Sequence, residues 1–292
     1  MKLDILGKIA VISGANRGFG LEISRKFLSS GASVVMCARE GALLQKAESD
    51  LLKTLRSGQN ILIASVDVSN EISVNGLIEK TLSKFSKIDI LVNNAGIYGP
   101  MGPIESLDIN EWRKALDINL IGSVLMARAV LPAMKRQKRG KIIQISGGGA
   151  TQPLPNISAY ATSKAAIVRF AETLSEEVKG FGIDVNSLAP GALNTRMLEE
   201  VLMAGPEAVG KDFYERSLQQ KETGGASIDR ATELALFLAS SKSDGITGKL
   251  ISAAWDNWEE WPNHITELRS TDAYTLRRIV GSDRDLKGWG DK

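Results

Sequence analysis

The chain has 292 residues, 43% hydrophobic and 24% charged, which fits one large α/β domain or one domain with an appendage. Its 36 Lys+Arg against 34 Asp+Glu leave a net charge of +2, and this near balance removes the broad electrostatic argument for a nucleic-acid partner. One cysteine, Cys37, excludes an internal disulfide and points to a reducing compartment, while one histidine, His264, excludes a multi-histidine metal site, so no metal is expected.

Residues 1–7 carry Lys2 and Asp4 and no long apolar stretch, so no targeting segment is expected. No run of 18 apolar residues occurs, and a cytoplasmic protein without a membrane span is expected. Short β-branched apolar runs predict strands over 8–13, 33–37, 61–66, 88–93, 141–146, 183–188 and 249–252. Apolar residues three and four apart predict helices over 18–30, 41–55, 71–85, 112–137, 160–179 and 228–239. This alternation predicts an α/β fold, a doubly wound parallel sheet with helices on both faces.

Two stretches break the rhythm. Residues 194–226, between a strand and a helix, contain Gly205-Pro206 and Gly224-Gly225, and a long insertion at that point predicts a lid. Everything after Ala254 adds no strand, which divides the chain into a domain over 1–254 and a C-terminal extension over 255–292, packed on the domain or on a neighbouring subunit.

The first strand runs into Ser13-Gly14-Ala15-Asn16-Arg17-Gly18-Phe19-Gly20 and then a helix. Glycines permit the tight turn and let backbone N–H groups approach a pyrophosphate at the helix N-terminus. The spacing is Gly-x3-Gly-x-Gly. Arg17 lies inside this loop, and the second strand ends on Ala38-Arg39, where a carboxylate would repel a ribose 2′-phosphate. Two guanidinium groups there suit NADP(H). NAD(H) is the alternative, with Arg39 solvated and Glu40 taking the ribose hydroxyl.

Tyr160-Ala161-Thr162-Ser163-Lys164 opens a predicted helix. Residues four apart share a helical face, and an ammonium beside a phenol stabilises the phenolate. Tyr160 is thereby a candidate acid/base for a carbonyl/alcohol pair.

Taken together, Gly14-x3-Gly18-x-Gly20, Asp67-Val68, Asn93-Asn94-Ala95-Gly96, Asn119, Tyr160-x3-Lys164 and Pro190-Gly191 resemble the short-chain dehydrogenase/reductase family, over about residues 7–252. The resemblance implies a Rossmann-type sheet of seven parallel strands, a nicotinamide cofactor, and hydride transfer at a carbon–oxygen centre. It implies a pyrophosphate loop of Gly14, Asn16, Arg17, Gly18, Phe19 and Gly20, with Arg39 beside the ribose. Asp67 and Val68 would flank the adenine, Asn94 would contact the adenosine side of the cofactor, Ala95 would belong to the cofactor site, and Gly96 would let the chain pass close by. Pro190, Gly191, Leu193 and Thr195 would cover the nicotinamide. Tyr160 would be the acid/base, Lys164 would hold the ribose hydroxyls and tune Tyr160, and Asn119 would hold a water as proton relay. Homodimers or homotetramers are usual in the family and are expected.

One departure stands out. The family has a serine 13 residues before the tyrosine, whose hydroxyl steadies the substrate oxygen; here that position is Gly147. Losing such a donor costs about 10²–10³ in rate. Ser146 could supply the hydroxyl if the glycine run distorts the backbone, Ser158 or Asn156 could reach in from the other side, or a backbone N–H of the run could serve instead.

Four of the five tryptophans lie in the last 38 residues, and Trp255, Trp258 and Trp261 recur every three, which predicts a helical turn with three indoles on one face. They anchor the tail, contact another subunit or line the substrate pocket. The charged run from Arg269 to Lys287 reads as a solvated face, and His264 as a surface residue. The sequence therefore predicts an oxidoreductase passing hydride between NADP(H) and a small ketone or secondary alcohol. The alternative is a cofactor-binding protein with weak or no catalysis, acting as a sensor or assembly subunit, supported by Gly147.

Overall fold

The computed structural model describes residues 4–286. Lys2 and Lys287, named above, and the fourth tail tryptophan, Trp289, lie outside the described residues. Seven strands form one sheet: β1 (Ile9–Ser13), β2 (Ser33–Ala38), β3 (Ile61–Ser65), β4 (Ile90–Asn93), β5 (Gly140–Ile145), β6 (Ile183–Ala189) and β7 (Leu250–Ser252). Their order is β3-β2-β1-β4-β5-β6-β7, and every neighbouring pair is parallel. The predicted strands hold within two residues at each end.

The sheet is doubly wound because its strands are apolar on both faces. Alternate residues of β1 and β2 enter different cores, Ile12 and Met36 on one side, Val11 and Val35 on the other. The first core takes Phe27 from α1 (Gly18–Ser29) and Phe237 from α9 (Ile228–Ala239). The second takes Leu77 from α3 (Glu71–Phe85), Met126 and Val130 from α5 (Gly122–Gln137), and Leu174 from α6 (Ser158–Val178). After β2 the chain runs through α2 (Gly41–Leu52) to the β3 edge, then returns to place β4 beside β1. That reversal opens a crevice at the carboxyl ends of β1 and β4, where α/β sheets bind ligands.

The helix predicted over 112–137 begins earlier, as α4 (Ile109–Leu116), because the Asp108 carboxylate accepts from Asn110 N at 2.8 Å and caps it. A π-helical turn, Asp117–Ile121, then widens the rod before α5. The rod Ile109–Gln137 is long and apolar enough to cross a membrane by length and composition, which the run-length reading missed; it lays Ile118, Met126, Val130 and Met134 into the second core.

The stretch 194–226 folds as α7 (Arg196–Val209) and α8 (Lys211–Thr223). Gly205 (φ +80°) breaks α7 before Pro206, and Gly210 (φ +84°) turns the chain into α8. Among the described residues of the tail, two tryptophans and Leu268 pack into the first core. Trp258 and Trp261, three apart on the 3₁₀ turn Trp258–His264, are buried in the first core. Trp255 precedes that turn and is 88% exposed, so the three indoles do not share a face as the spacing predicted. Past α10 (Ile265–Ser270) the chain doubles back, and Leu250 N donates to Tyr274 O at 2.8 Å, covering the open edge of β7.

Candidate active site

A cleft of about 1420 Å³ runs along the carboxyl ends of the strands. At one end lie Arg39, Glu40, Asp67 and Val68; at the other, Tyr160 and Lys164, with the glycine loop between. Asn16, Phe19, Ala95, Gly96, Pro190 and Leu193 also line it. Of the predicted cofactor and catalytic residues, Gly20 and Asn119 do not form its wall, nor do the offered serine substitutes Ser158 and Asn156.

Gly14 (φ +63°) and Gly18 (φ +56°) take left-handed conformations that fold the loop after β1. A Cβ on Gly14 would stand 2.9 Å from Ala95 Cα, so β1 and β4 could not close together with a side chain there. Asn94 laces the two loops: its amide donates to Ser13 O (3.0 Å) and Gly14 O (3.1 Å). Both amide protons are thereby spent on the protein, which leaves Asn94 as a brace more than a donor to the adenosine expected above. Gly20 is tight for the same reason, packed against the Asn94 amide and Gly14 O. The start of α1 has no side-chain cap, and a Cβ built on Gly18 would meet only Thr195, with Cγ2 at 3.8 Å. A helix start without a side-chain cap, on a cleft that continues to both ends, fits a pyrophosphate and the dinucleotide it joins.

At the β2 end, Arg17 Nη2 meets Glu40 Oε1 at 2.6 Å, and Arg196 Nη1 reaches the same oxygen at 3.8 Å. The Arg39 guanidinium has no hydrogen bond or ion pair among the described residues. Asp67 Oδ1 accepts from Ser69 Oγ (2.6 Å) and Ser69 N (3.0 Å), bonds that hold its carboxyl below the usual range despite burial, with a further lowering from Arg39.

At the other end, Tyr160 and Lys164 sit one turn apart on α6. Lys164 Nζ donates to Ile145 O at 2.7 Å and lies 5.5 Å from the Tyr160 ring centre. Burial brings the Lys164 pKa down to about 8. Burial also pushes Tyr160 above the usual phenol range, reinforced by Tyr98, whose ring centre is 4.7 Å away. In the protein alone, desolvation therefore sets the direction, opposite to the lowering predicted for Tyr160. Tyr98 itself is pushed up to about 12, by burial and then by Glu200. Sequence reasoning did not single out Tyr98; its place two residues past Gly96 was the available signal.

Asn119 sits in the π-helical turn, a placement common at functional sites. Its Nδ2 donates to Ile97 O (2.8 Å) and Ser163 Oγ (2.9 Å), and its Oδ1 accepts from Ile97 N (2.8 Å). Asn119 thus splints the loop after β4 to α6 from behind the cleft wall. With both amide protons committed, its side chain can meet a relay water only as an acceptor.

Gly147 is extended (φ −174°), a conformation open to any residue. What demands glycine is space: a Cβ there would run into the Tyr160 hydroxyl. Ser146 lines the cleft, but its hydroxyl is buried without a partner. Ser158 Oγ accepts from Trp112 Nε1 at 3.1 Å, Asn156 accepts Gly102 N on its carbonyl, and neither residue lines the cleft, so both drop out as substitutes. Thr151 and Gln152 line the cleft beyond the glycines, and the lid and tail close it with Met197, Phe213, Gln220 and Trp255.

The family model for short chain dehydrogenases matches residues 8–204. Among relatives, 2-(R)-hydroxypropyl-CoM dehydrogenase of Xanthobacter autotrophicus is 32% identical over 83% of this chain and 95% of its own. The NADP-dependent 3-hydroxy acid dehydrogenase YdfG of Escherichia coli O6:H1 is 30% identical over 72% of this chain and 82% of its own. The crystal structure of NAD⁺-bound xylitol dehydrogenase superposes with a TM-score of 0.78, at 26% identity, covering 86% of this chain and 99% of that one. The chain belongs to the short-chain dehydrogenase/reductase family, whose Rossmann-type oxidoreductases use NAD(P) to interconvert CH–OH and C=O groups.

Proposed function

We propose that the protein interconverts a small ketone and its secondary alcohol with NADP(H), Tyr160 serving as acid/base. The observation that carries this reading is the pair of half-buried Tyr160 and buried Lys164 at one end of a cleft that starts at an uncapped glycine loop. Gly14, Asn16, Arg17, Gly18 and Phe19 hold the pyrophosphate; Arg17 and Arg39 meet the 2′-phosphate; Asp67 and Val68 border the adenine. Ala95 and Gly96 let the chain pass close, and Pro190, Gly191, Leu193 and Thr195 cover the nicotinamide, which when bound supplies or accepts the hydride.

Tyr160 gives its hydroxyl proton to the substrate oxygen during reduction and takes it back during oxidation. Lys164, pinned to the end of β5 through Ile145 O, keeps a positive charge beside the phenolate as it forms. Asn119 positions the loop after β4 and Ser163 rather than touching substrate. Ser146 supplies the second hydroxyl if its unpartnered Oγ turns toward the cleft.

A second reading is favoured by Gly147: without a serine, and with the Tyr160 hydroxyl filling its place, the protein binds cofactor and catalyses weakly or not at all, as a sensor or assembly subunit. Titration calorimetry with NADPH and NADH, followed by assays of xylitol and 3-hydroxybutyrate oxidation with NADP⁺, separates the two. Turnover abolished by Tyr160→Phe supports the enzyme; tight NADPH binding with no turnover on a broad alcohol and carbonyl panel supports the sensor.

Residues 255–292 form the C-terminal extension, and among its described residues Trp255 and Tyr274 wall the substrate end. The apolar groove between α5 and α6, lined by Val124, Leu131, Pro132, Phe170 and Leu174, supports a homodimer or homotetramer. A single buried cysteine fits a cytoplasmic setting.

A further inference from the structure

The lid carries an arginine that the cofactor reading leaves idle. Arg196 opens α7 directly after Thr195. Its Nε meets Glu200 Oε1 at 3.0 Å within the helix, and its Nη1 reaches across the cleft to within 3.8 Å of Glu40 Oε1. Arg17 Nη2 already holds that oxygen at 2.6 Å. Among the described residues no other ion pair joins α7 or α8 to the rim at the end of β2. Three guanidinium groups from three separate elements therefore line this part of the cleft: Arg17 from the loop after β1, Arg39 from the end of β2, and Arg196 from the lid.

One half-exposed Glu40 oxygen is shared by the Arg17 and Arg196 guanidinium tips, and Arg39 has neither a hydrogen bond nor an ion pair among the described residues, only the field of Asp67, so the three forks are incompletely matched at this end. A carboxylate offers one charge, whereas a phosphate monoester offers nearly two and three terminal oxygens, enough for a guanidinium fork on each. The direction Arg196 takes also matters. Thr195, next to it, is the residue facing Gly18 and the start of α1, where a pyrophosphate would lie. Arg196 instead extends to Glu40, at the ribose end.

We propose that Arg196 is a lid-borne ligand for the cofactor's 2′-phosphate, with Glu40 holding its place until the phosphate arrives. Arg17 and Arg196 then exchange the Glu40 oxygen for phosphate oxygens, and lid closure is tied to the phosphorylated dinucleotide. The inference rests on the NADP(H) reading above.

Titration calorimetry with 2′,5′-ADP and 5′-AMP tests it without requiring turnover. Arg196→Gln should weaken 2′,5′-ADP about tenfold, the scale of one charge-assisted pair, and leave 5′-AMP unchanged. Arg196→Lys, a point charge without the fork, should fall between. Equal loss for both nucleotides would assign Arg196 to the 5′-phosphate or to lid structure, and no loss for either would make it a bystander; each result overturns the proposal. A wild-type protein that binds 2′,5′-ADP no tighter than 5′-AMP would defeat the NADP(H) preference itself. A wild-type preference fully retained in Arg196→Gln would defeat this inference alone.

Discussion

The Tyr160 hydroxyl occupies the space a side chain at residue 147 would need, so the glycine at 147 and the position of the tyrosine are one feature. Because Gly147 has an ordinary extended backbone, a substitution there acts through the ring it displaces. Gly147→Ala and Gly147→Ser should both lower turnover tenfold or more, on the scale of about 1–3 kcal/mol for overpacking a site, while NADPH affinity holds. Steady-state kinetics beside calorimetry check this. A faster Gly147→Ser enzyme would mean that the ring readily makes room and that the hydroxyl is only missing.

Lys164 is buried as a base whose pKa falls to about 8. Below pH 8 the folded and unfolded chains both carry the proton, and the full burial penalty applies. Between 8 and the ordinary value of 10.5 the folded protein sheds it first, so stability gains with rising pH. Lys164→Met removes the penalty but orphans Ile145 O, a loss of about 1 kcal/mol, so it should stabilise the protein by about 1–2 kcal/mol at pH 7. That gain should vanish by about pH 10.5, and activity should be lost throughout. Urea melts across this pH range would show it; a variant less stable at pH 7 would contradict the buried-charge account.

Glu40 stands between two arginines and opposes any phosphate brought to them. Glu40→Gln should raise the preference for NADPH over NADH by about two- to fivefold, in keeping with half-exposed charge pairs. Competitive titration of the two cofactors measures the ratio, and an unchanged ratio would remove Glu40 from cofactor choice.

The tail is held by Trp258, which packs 5.3 Å from the Phe237 ring centre, under the Arg230 guanidinium that also grips Glu259 at 2.7 Å. Trp258→Ala should destabilise by about 3–5 kcal/mol. Trp258→Phe should cost much less, because the indole N–H is buried without a partner and its removal relieves that penalty. Denaturant midpoints for the two variants decide it.

The seven strands were legible because a sheet buried on both faces writes itself as continuous runs such as Ile9–Ser13 and Ser33–Ala38. The glycine loop and the Tyr160–Lys164 turn were legible because each is set by local backbone geometry. Contacts between distant segments were not. Nothing near Asn119 in the chain announces that its amide protons go to Ile97 and Ser163, and nothing near Glu40 announces Arg196. The tryptophan spacing misled because period three holds only where a helix forms, and the helical turn starts at Trp258. The direction of the Tyr160 shift was missed because Lys–Tyr spacing encodes a charge and says nothing of burial.

The central claim is that Tyr160 moves the proton in a hydride transfer. Its most direct test is Tyr160→Phe assayed for NADP⁺ reduction at 340 nm with an alcohol the wild type oxidises, beside calorimetric NADPH binding. Turnover should fall by at least about 10³-fold, beyond the ordinary range of a single hydrogen bond, with NADPH affinity within about twofold of wild type. Wild-type turnover in the phenylalanine variant would contradict the account.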